Sequence, residues 1–235
     1  MSAAADQNDA PCYALADLSD RDRNEAVELV AQAFVDNPLN QAVIGAPRER
    51  RLLCNRAGSQ ASLEVALGRV EVRGARCADG SGPLLAVLVA QPPDRRCLPM
   101  PSWRSQFRCL AAQGWRVAQR WNQANFELEG WRPREGHWYL DLLGVTSDWQ
   151  GRGVGSALLA DWLARVDADA APSYLETDRA ENLRFYQRAG FSVVGEESVL
   201  GARVWRMWRA SPASAVQGGT TTDGASRPQG GTDVS

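Results

Sequence analysis

Val145-Thr146-Ser147-Asp148-Trp149-Gln150-Gly151-Arg152-Gly153-Val154-Gly155-Ser156-Ala157-Leu158-Leu159 reads as a strand end that passes through a glycine-rich turn into a helix. Glycines lay bare the backbone N–H groups of the turn, and the first turn of any helix has N–H groups with no intrahelical acceptor. Together they make a site for phosphate oxygens. The ligand implied is nucleotide-like, and the spacing of the glycines decides which kind.

A Walker loop ends in Gly-Lys-Ser/Thr, and no lysine follows these glycines. A dinucleotide fingerprint is the closer competitor, because Glu176 lies 21 residues past Gly155 at the end of a strand-like Ser173-Tyr174-Leu175-Glu176. Three details oppose it. Counting from Gly151, Ser156 and not a glycine follows Val154-Gly155; five residues separate Val145 from Gly151; and the 59 residues after Glu176 are too few for the rest of such a domain and a substrate domain. The spacing that fits is Gln150-x-x-Gly153-x-Gly155.

This loop, with Tyr174-Leu175-Glu176-Thr177 and Asn182-Leu183-Arg184-Phe185-Tyr186-Gln187-Arg188-Ala189-Gly190-Phe191, resembles the GCN5-related N-acetyltransferases (GNAT). Their QxxGxG/A loop holds the pyrophosphate of acetyl-CoA. Arg132-Pro133-x-Glu135 before the central strand and Leu175-Glu176-Thr177 after the cofactor helix are similar to the puromycin N-acetyltransferase-like subgroup. The resemblance spans roughly residues 131 to 195. It implies an α/β (α+β) GNAT fold, with a mixed central sheet splayed between its two central parallel strands and flanked by helices.

A chain of 235 residues can bury a substantial core, and its 26 basic and 28 acidic residues leave a formal charge of −2. No net attraction to nucleic acid or an anionic membrane follows, and neither is expected as a partner. Cys12, Cys54, Cys77, Cys97 and Cys109 are odd in number and never spaced Cys-x-x-Cys, and there is one histidine. Neither a disulfide framework nor a metal site is indicated. No apolar run approaches the ~20 residues of a membrane span, and Met1 to Ala10 lacks a signal-peptide pattern. A cytoplasmic protein is expected.

Residues 1–11 are expected to be a disordered N-terminus, 12–210 the acetyltransferase domain, and 211–235 a disordered tail rich in Gly, Ser and Thr. A short strand over Cys12–Leu18 precedes a helix capped by Ser19 and ending before Pro38. A second helix covers Arg48 to about Leu67, followed by alternation at Val70-Glu71-Val72. Gly80-Ser81-Gly82-Pro83 marks a turn, and Leu84–Ala90 reads as a strand buried on both faces.

Within a helical insertion at about 101–130, apolar or small residues at Trp103, Phe107, Leu110, Gly114, Val117, Trp121, Ala124 and Leu128 predict one long helix, or two joined near Gly114. The stripe is expected to pack on its own sheet, with a dimer seam or mobile lid as the other reading. In the resemblance such an insertion covers the acceptor pocket, and Trp115 and Trp131 either line it or pack.

His137–Val145 is the central strand, followed by a helix over about Gly153–Val166, a parallel strand at Ser173–Glu176, a helix at Ala180–Ala189 and a hairpin of Phe191–Val194 with Ala202–Trp208. Strict alternation along the central strand puts His137, Tyr139, Asp141 and Leu143 on one face, and Trp138, Leu140 and Leu142 on the other.

Carried over from the family, Leu143 and Val145 supply backbone partners for the pantetheine arm. Gln150, Gly151, Arg152, Gly153, Val154, Gly155 and Ser156 form the pyrophosphate cradle, and Asn182 meets the cofactor arm. Arg152 either contacts phosphate or is a solvated surface residue. Tyr186 matches the family's general acid, and a phenol, neutral at physiological pH, is able to donate a proton to a departing thiolate. The base is Asp141, Glu176 or solvent, since both carboxylates also have structural readings. His137 and Tyr139 are candidates for the acceptor pocket, with a structural role open to His137.

The expectation is therefore acetyl transfer from acetyl-CoA, as acyl-donor co-substrate, to the primary amine of a small molecule by direct attack in a ternary complex. No metal is implied, and the protein acts as a monomer or homodimer. A peptide acceptor and a non-catalytic acyl-CoA-binding regulatory module are the alternatives. No cysteine or serine nucleophile stands beside a suggestive partner, so a covalent acetyl-enzyme is not expected.

Overall fold

A computed structural model describes residues 13–77, 82–95 and 98–212. Of the termini expected to be disordered, residues 1–11 and all of 211–235 but its first two residues lie outside the described residues, as do Cys12, Cys97 and the Gly80-Ser81 part of the expected turn.

Among the described residues seven strands form one mixed sheet in the order β1-β2-β3-β4-β5-β7-β6. They are β1 (Tyr13–Asp17), β2 (Glu71–Cys77), β3 (Leu84–Gln91), β4 (Trp138–Val145), β5 (Ser173–Thr177), β6 (Ser192–Val199) and β7 (Ala202–Arg209). Among the described residues seven α-helices flank it: α1 (Arg23–Ala33), α2 (Pro38–Ile44), α3 (Arg48–Ala66), α4 (Trp103–Gln113), α5 (Trp115–Trp131), α6 (Val154–Ala168) and α7 (Glu181–Arg188). Every neighbouring pair of strands is antiparallel except β4 with β5. The single helix α6 accounts for that exception: packed along one face of the sheet, it carries the chain back to the end at which β4 began, so β5 enters parallel to β4.

Most elements follow the sequence pattern, with α1 ending before Pro38 as expected. The sequence reading omitted α2, which starts at that proline; a proline is tolerated at the first helical position because its missing N–H has no intrahelical role there. β3, apolar throughout, is buried along its whole length. On one face it joins Leu140, Leu158, Trp162 and Leu175 beneath α6. On the other it joins Val27, Val30 and Leu63 beneath α1 and α3.

The insertion takes the second of its two expected arrangements, two helices joined at Gly114, whose φ of 79° lies in the left-handed region that a glycine adopts without a Cβ clash. Two expectations change. The stripe of the insertion does not all pack on the sheet. Val117, Trp121, Ala124 and Leu128 of α5 join Val43, Ile44 and Val204 in a third cluster, whereas Trp103, Phe107 and Leu110 of α4 are exposed.

The other change is in β4. Leu142 pairs with Val89 and Leu140 with Ala90, so Asp141 is an extra residue with no partner on β3. Such a bulge inverts the alternation beyond it. Leu143 and Val145 therefore pack with the α6 side, while Leu142 joins the α1 side. The expected grouping of Leu143 with Tyr139 and Asp141 is overturned.

Candidate active site

β4 and β5 are paired at only three positions, Trp138 with Ser173, Tyr139 with Tyr174 and Leu140 with Leu175. From Asp141 onward β4 continues to Val145 with no partner on that side, so the sheet opens into a slot. Unpaired strand backbone is a ready partner for an extended ligand. The slot leads into a cavity of about 500 Å³ lined by Leu143, Gly144 and Val145 from β4, Gln150, Gly151, Gly153, Gly155 and Ser156 from the turn, and Asn182, Phe185 and Tyr186 from α7.

The turn has the properties its sequence promised. Gly151 and Gly153 have φ values of 73° and 82°. Gly153 is the left-handed residue that opens α6, and no side chain caps the helix there. The first intrahelical bond runs from Ala157 N–H to the Gly153 carbonyl, leaving the N–H groups before it without an intrahelical acceptor. A Cβ at position 155 would come within 3.1 Å of Val145 Cγ2, so any side chain there would press on the strand and displace Val145 by a few tenths of an ångström. This cradle of backbone donors at a helix N-terminus fits a pyrophosphate.

The expected cradle residues divide by what they do. The Gln150 side chain donates to the Val145 carbonyl at 3.1 Å and ties the turn back to the strand. Val154 is fully buried in the core. Arg152 is exposed, with its guanidinium 5.4 Å from the Trp149 ring centre, and is not among the residues lining the cavity. Asn182 lines the cavity and donates to Thr177 Oγ1 at 3.3 Å.

Tyr186 is buried, with Phe185 and Phe191 edge-on to its ring. Burial, reinforced by the Asp178 carboxylate, pushes its phenol well above the ordinary tyrosine value. It is therefore protonated throughout the physiological range. Asp178 in turn joins the end of β5 to α2, accepting from Asn37 Nδ2 at 3.1 Å and from the Leu39 N–H at 2.8 Å.

Tyr139, Asp141, Tyr174 and Glu176 gather with Arg132 in a second polar group on the α2–α5 side of the sheet. The Tyr139 and Tyr174 rings stack with centroids 6.2 Å apart, and the Arg132 guanidinium carbon lies 3.6 Å from the Tyr139 ring centre. Burial raises the Glu176 carboxyl to about 7, against the opposing pull of Arg132 and the Tyr139 and Tyr174 hydroxyls. Glu176 Oε1 and the Tyr174 hydroxyl oxygen are nonetheless buried without an aligned hydrogen-bond partner. Such orphaned atoms mark a place where a polar ligand completes the bonding.

Asp141, at the bulge, is exposed on the wall of this recess. Desolvation in the recess raises its carboxyl, against the opposing pull of Arg132 and the Gln91 amide. His137 is buried, its ring edge-on to Tyr174 and Trp208 and its Nδ1 2.7 Å from the Glu135 carbonyl oxygen. The sequence reading did not single out Arg132 or Tyr174 as site residues. For Tyr174 the signal was alternation, which places it on the face of Glu176; for Arg132 it was only the pairing with Pro133.

Residues 115–193 match the family model described as an acetyltransferase (GNAT) domain, a span that includes α5, the cradle and α7. A structure described as a histone acetyltransferase HPA2 and related acetyltransferase, from Corynebacterium glutamicum, is 23% identical with a TM-score of 0.64, over 85% of this chain and 97% of that one. The PaiA N-acetyltransferase from Thermoplasma acidophilum, in complex with coenzyme A, is 13% identical with a TM-score of 0.51, over 84% and 98%. At these identities the structural likeness is one of fold. Residues 115–193 are thus similar to a GNAT acetyltransferase domain, and the likeness of fold extends over most of the chain. Among the described residues no cluster suited to a metal ion occurs, and no helix is long and apolar enough to cross a membrane.

Proposed function

We propose that the protein transfers an acetyl group from acetyl-CoA to the primary amine of a small molecule by direct attack, in the manner of the puromycin N-acetyltransferase-like subgroup. The observation that carries this reading is the slot between β4 and β5, with a phosphate cradle and a phenol on one side of the sheet and a carboxylate of raised pKa on the other. Acetyl-CoA supplies the activated acyl group. The cradle from Gln150 to Ser156 holds its pyrophosphate, and the unpaired backbone of Leu143 and Val145 aligns its arm and polarises the thioester carbonyl.

In this reading Glu176 takes the proton of the incoming ammonium, the freed lone pair forms the C–N bond, and the C–S bond breaks. Tyr186 gives its proton to the departing sulfur; the proton first taken by Glu176 and the second one shed by the new amide nitrogen pass to solvent, from which Tyr186 is reprotonated. Asp141 adds a second carboxylate beside the amine. Tyr139 and the neighbourhood of His137 form the wall of the acceptor pocket. The end of α5 closes over Tyr139 through Arg132, which favours a small acceptor over a peptide laid in an open groove.

Free thiols at Cys54, Cys77 and Cys109 suit a reducing compartment, and we assign the protein to the cytoplasm as a monomer or homodimer. The test is thiol release from acetyl-CoA against a panel of primary amines, with cofactor affinity measured by calorimetry. All the basic residues of the chain are arginine, so thiol release without added amine cannot come from acetylation of its own lysines. Release that depends on one class of amine supports the reading. Tight binding with no release for any amine favours the regulatory module, and absence of binding overturns both.

A further inference from the structure

Arg132 is the first residue beyond α5, and it is held from two directions. Its Nη1 pairs with Glu129 Oε2, in the preceding turn of α5, at 3.1 Å, and its guanidinium carbon stands 3.6 Å from the centre of the Tyr139 ring. Its Nε is buried without a partner. Such a guanidinium is more than a surface charge, because the ring and the carboxylate fix its plane and burial preserves its field.

The groups facing this point come from five elements. β4 contributes Tyr139 and Asp141, and β5 contributes Tyr174 and Glu176. β3 brings the neutral Gln91, and α5 brings Glu129. β7 brings Arg206, directly across from Glu176 in the strand register, but Arg206 Nη2 is engaged by Glu197 at 3.0 Å. The His137 ring packs against Tyr174. Arg132, although it also pairs with Glu129, is the cation whose charge reaches both Glu176 and Asp141, and the three carboxylates of Glu129, Asp141 and Glu176 outnumber it, so negative charge is in excess. That excess suits an acceptor arriving as its ammonium ion.

We propose, resting on the acetyl-transfer reading above, that Arg132 is a positioning residue of the acceptor pocket. The insertion helix delivers a fixed positive charge over Tyr139, and that charge keeps the Glu176 carboxylate available to take the proton of a cationic amine. The proton passes from the ammonium nitrogen to a Glu176 oxygen, leaving the lone pair for attack. Arg132 itself neither gains nor loses a proton, since the surrounding anionic groups outweigh burial and hold it charged.

The experiment compares Arg132→Gln and Arg132→Lys with wild type in two readouts. One is the pH dependence of kcat/KM for thiol release with an accepted amine. The other, independent of turnover, is the carboxyl carbon NMR titration of Glu176 without acetyl-CoA, assigned by its loss in Glu176→Gln. In Arg132→Gln the Glu176 titration and the acidic limb of kcat/KM move up together by about one pH unit, so the rate below the limb falls about tenfold and recovers in alkali. Arg132→Lys, which keeps the charge, restores most of both; it also carries the test if the Gln variant fails to fold.

An unmoved Glu176 titration, or a loss of rate equal at every pH, overturns the proposal. If no amine is acetylated by wild type, the acetyl-transfer reading fails and the catalytic part of the proposal fails with it. The NMR titration then still reports separately whether Arg132 controls Glu176.

Discussion

The two sides of the slot between β4 and β5 are built from different materials. On the α6 side the ligand surface is backbone, made of left-handed glycines, an uncapped helix start and a strand edge left open by the splay. On the α5 side it is side chain, made of two carboxylates, two phenols and a guanidinium that no single stretch of sequence brings together. In the proposed reading the backbone surface recognises what all acyl-CoA molecules share and tolerates change in side chains that do not intrude, whereas the side-chain surface sets charge and shape for one acceptor and fails when one member is altered.

The largest effect that would sharpen this contrast is on the side-chain face. Glu176→Gln is expected to lower kcat by about 10²–10⁴-fold while leaving acetyl-CoA affinity unchanged by calorimetry. In wild type, log kcat/KM rises with pH and levels off above about 7, because the base must be ionised and its carboxyl is raised to about 7. A flat profile across that range would remove Glu176 as the base and leave Asp141 or solvent.

Tyr186→Phe follows, with kcat lowered about 10²-fold and cofactor affinity kept. Equal turnover would end the assignment of the phenol to the departing sulfur. On the backbone face, Gly153→Glu puts a side chain on a residue with φ of 82° and a carboxylate near the phosphates. Its expected effect is a roughly 10–100-fold loss of acetyl-CoA affinity, equivalent to about 1.4–2.7 kcal/mol. Unchanged affinity would break the assignment of the cradle.

The smallest effect lies away from the slot. Glu71, at the start of β2, sits among Arg73, Asp17, Asp161 and Arg165, with Arg73 pairing to Asp161 at 2.6 Å and Arg165 to Glu71 at 3.4 Å. Burial, together with Asp17, Asp161 and Asp169, raises its carboxyl from 4.5 to about 7 despite Arg73. The folded chain therefore retains a proton that the unfolded chain releases over that interval. The stability this contributes is full below 4.5 and is lost as pH rises to about 7. Glu71→Gln is expected to flatten this slope, making the variant more stable than wild type above neutrality by about 1–3 kcal/mol, measured by urea unfolding at several pH values. Parallel stability curves for the two proteins would refute it.

The legibility of each region follows the range of its interactions. The cradle was readable because its chemistry is local, with glycine spacing, a strand before and a helix after all falling within one short stretch. α6, α7 and β3 were readable for the same reason, since periodicity and continuous apolarity report directly on which faces meet the core. The α4 stripe shows the limit of that signal. Its periodicity is real, but amphipathicity does not say what covers the apolar face, and Trp103 and Phe107 lie open. The extra residue at Asp141 was invisible because a bulge depends on the register with β3, and β3 lies some fifty residues earlier in the chain.

The sequence by itself determined the glycine cradle, the parallel pair joined by a helix, and the position of Tyr186 on the helix after β5, because each depends on neighbours a few residues apart. The tertiary structure alone decided where the expected splay begins, with β4 parting from β5 after Leu140, that Leu143 faces the α6 side, and that Arg132 stands over Tyr139 beside Asp141 and Glu176. The physical reason is that strand register and charge clustering arise between segments distant in sequence, where residue spacing carries no distance information and only the packed sheet sets which groups meet.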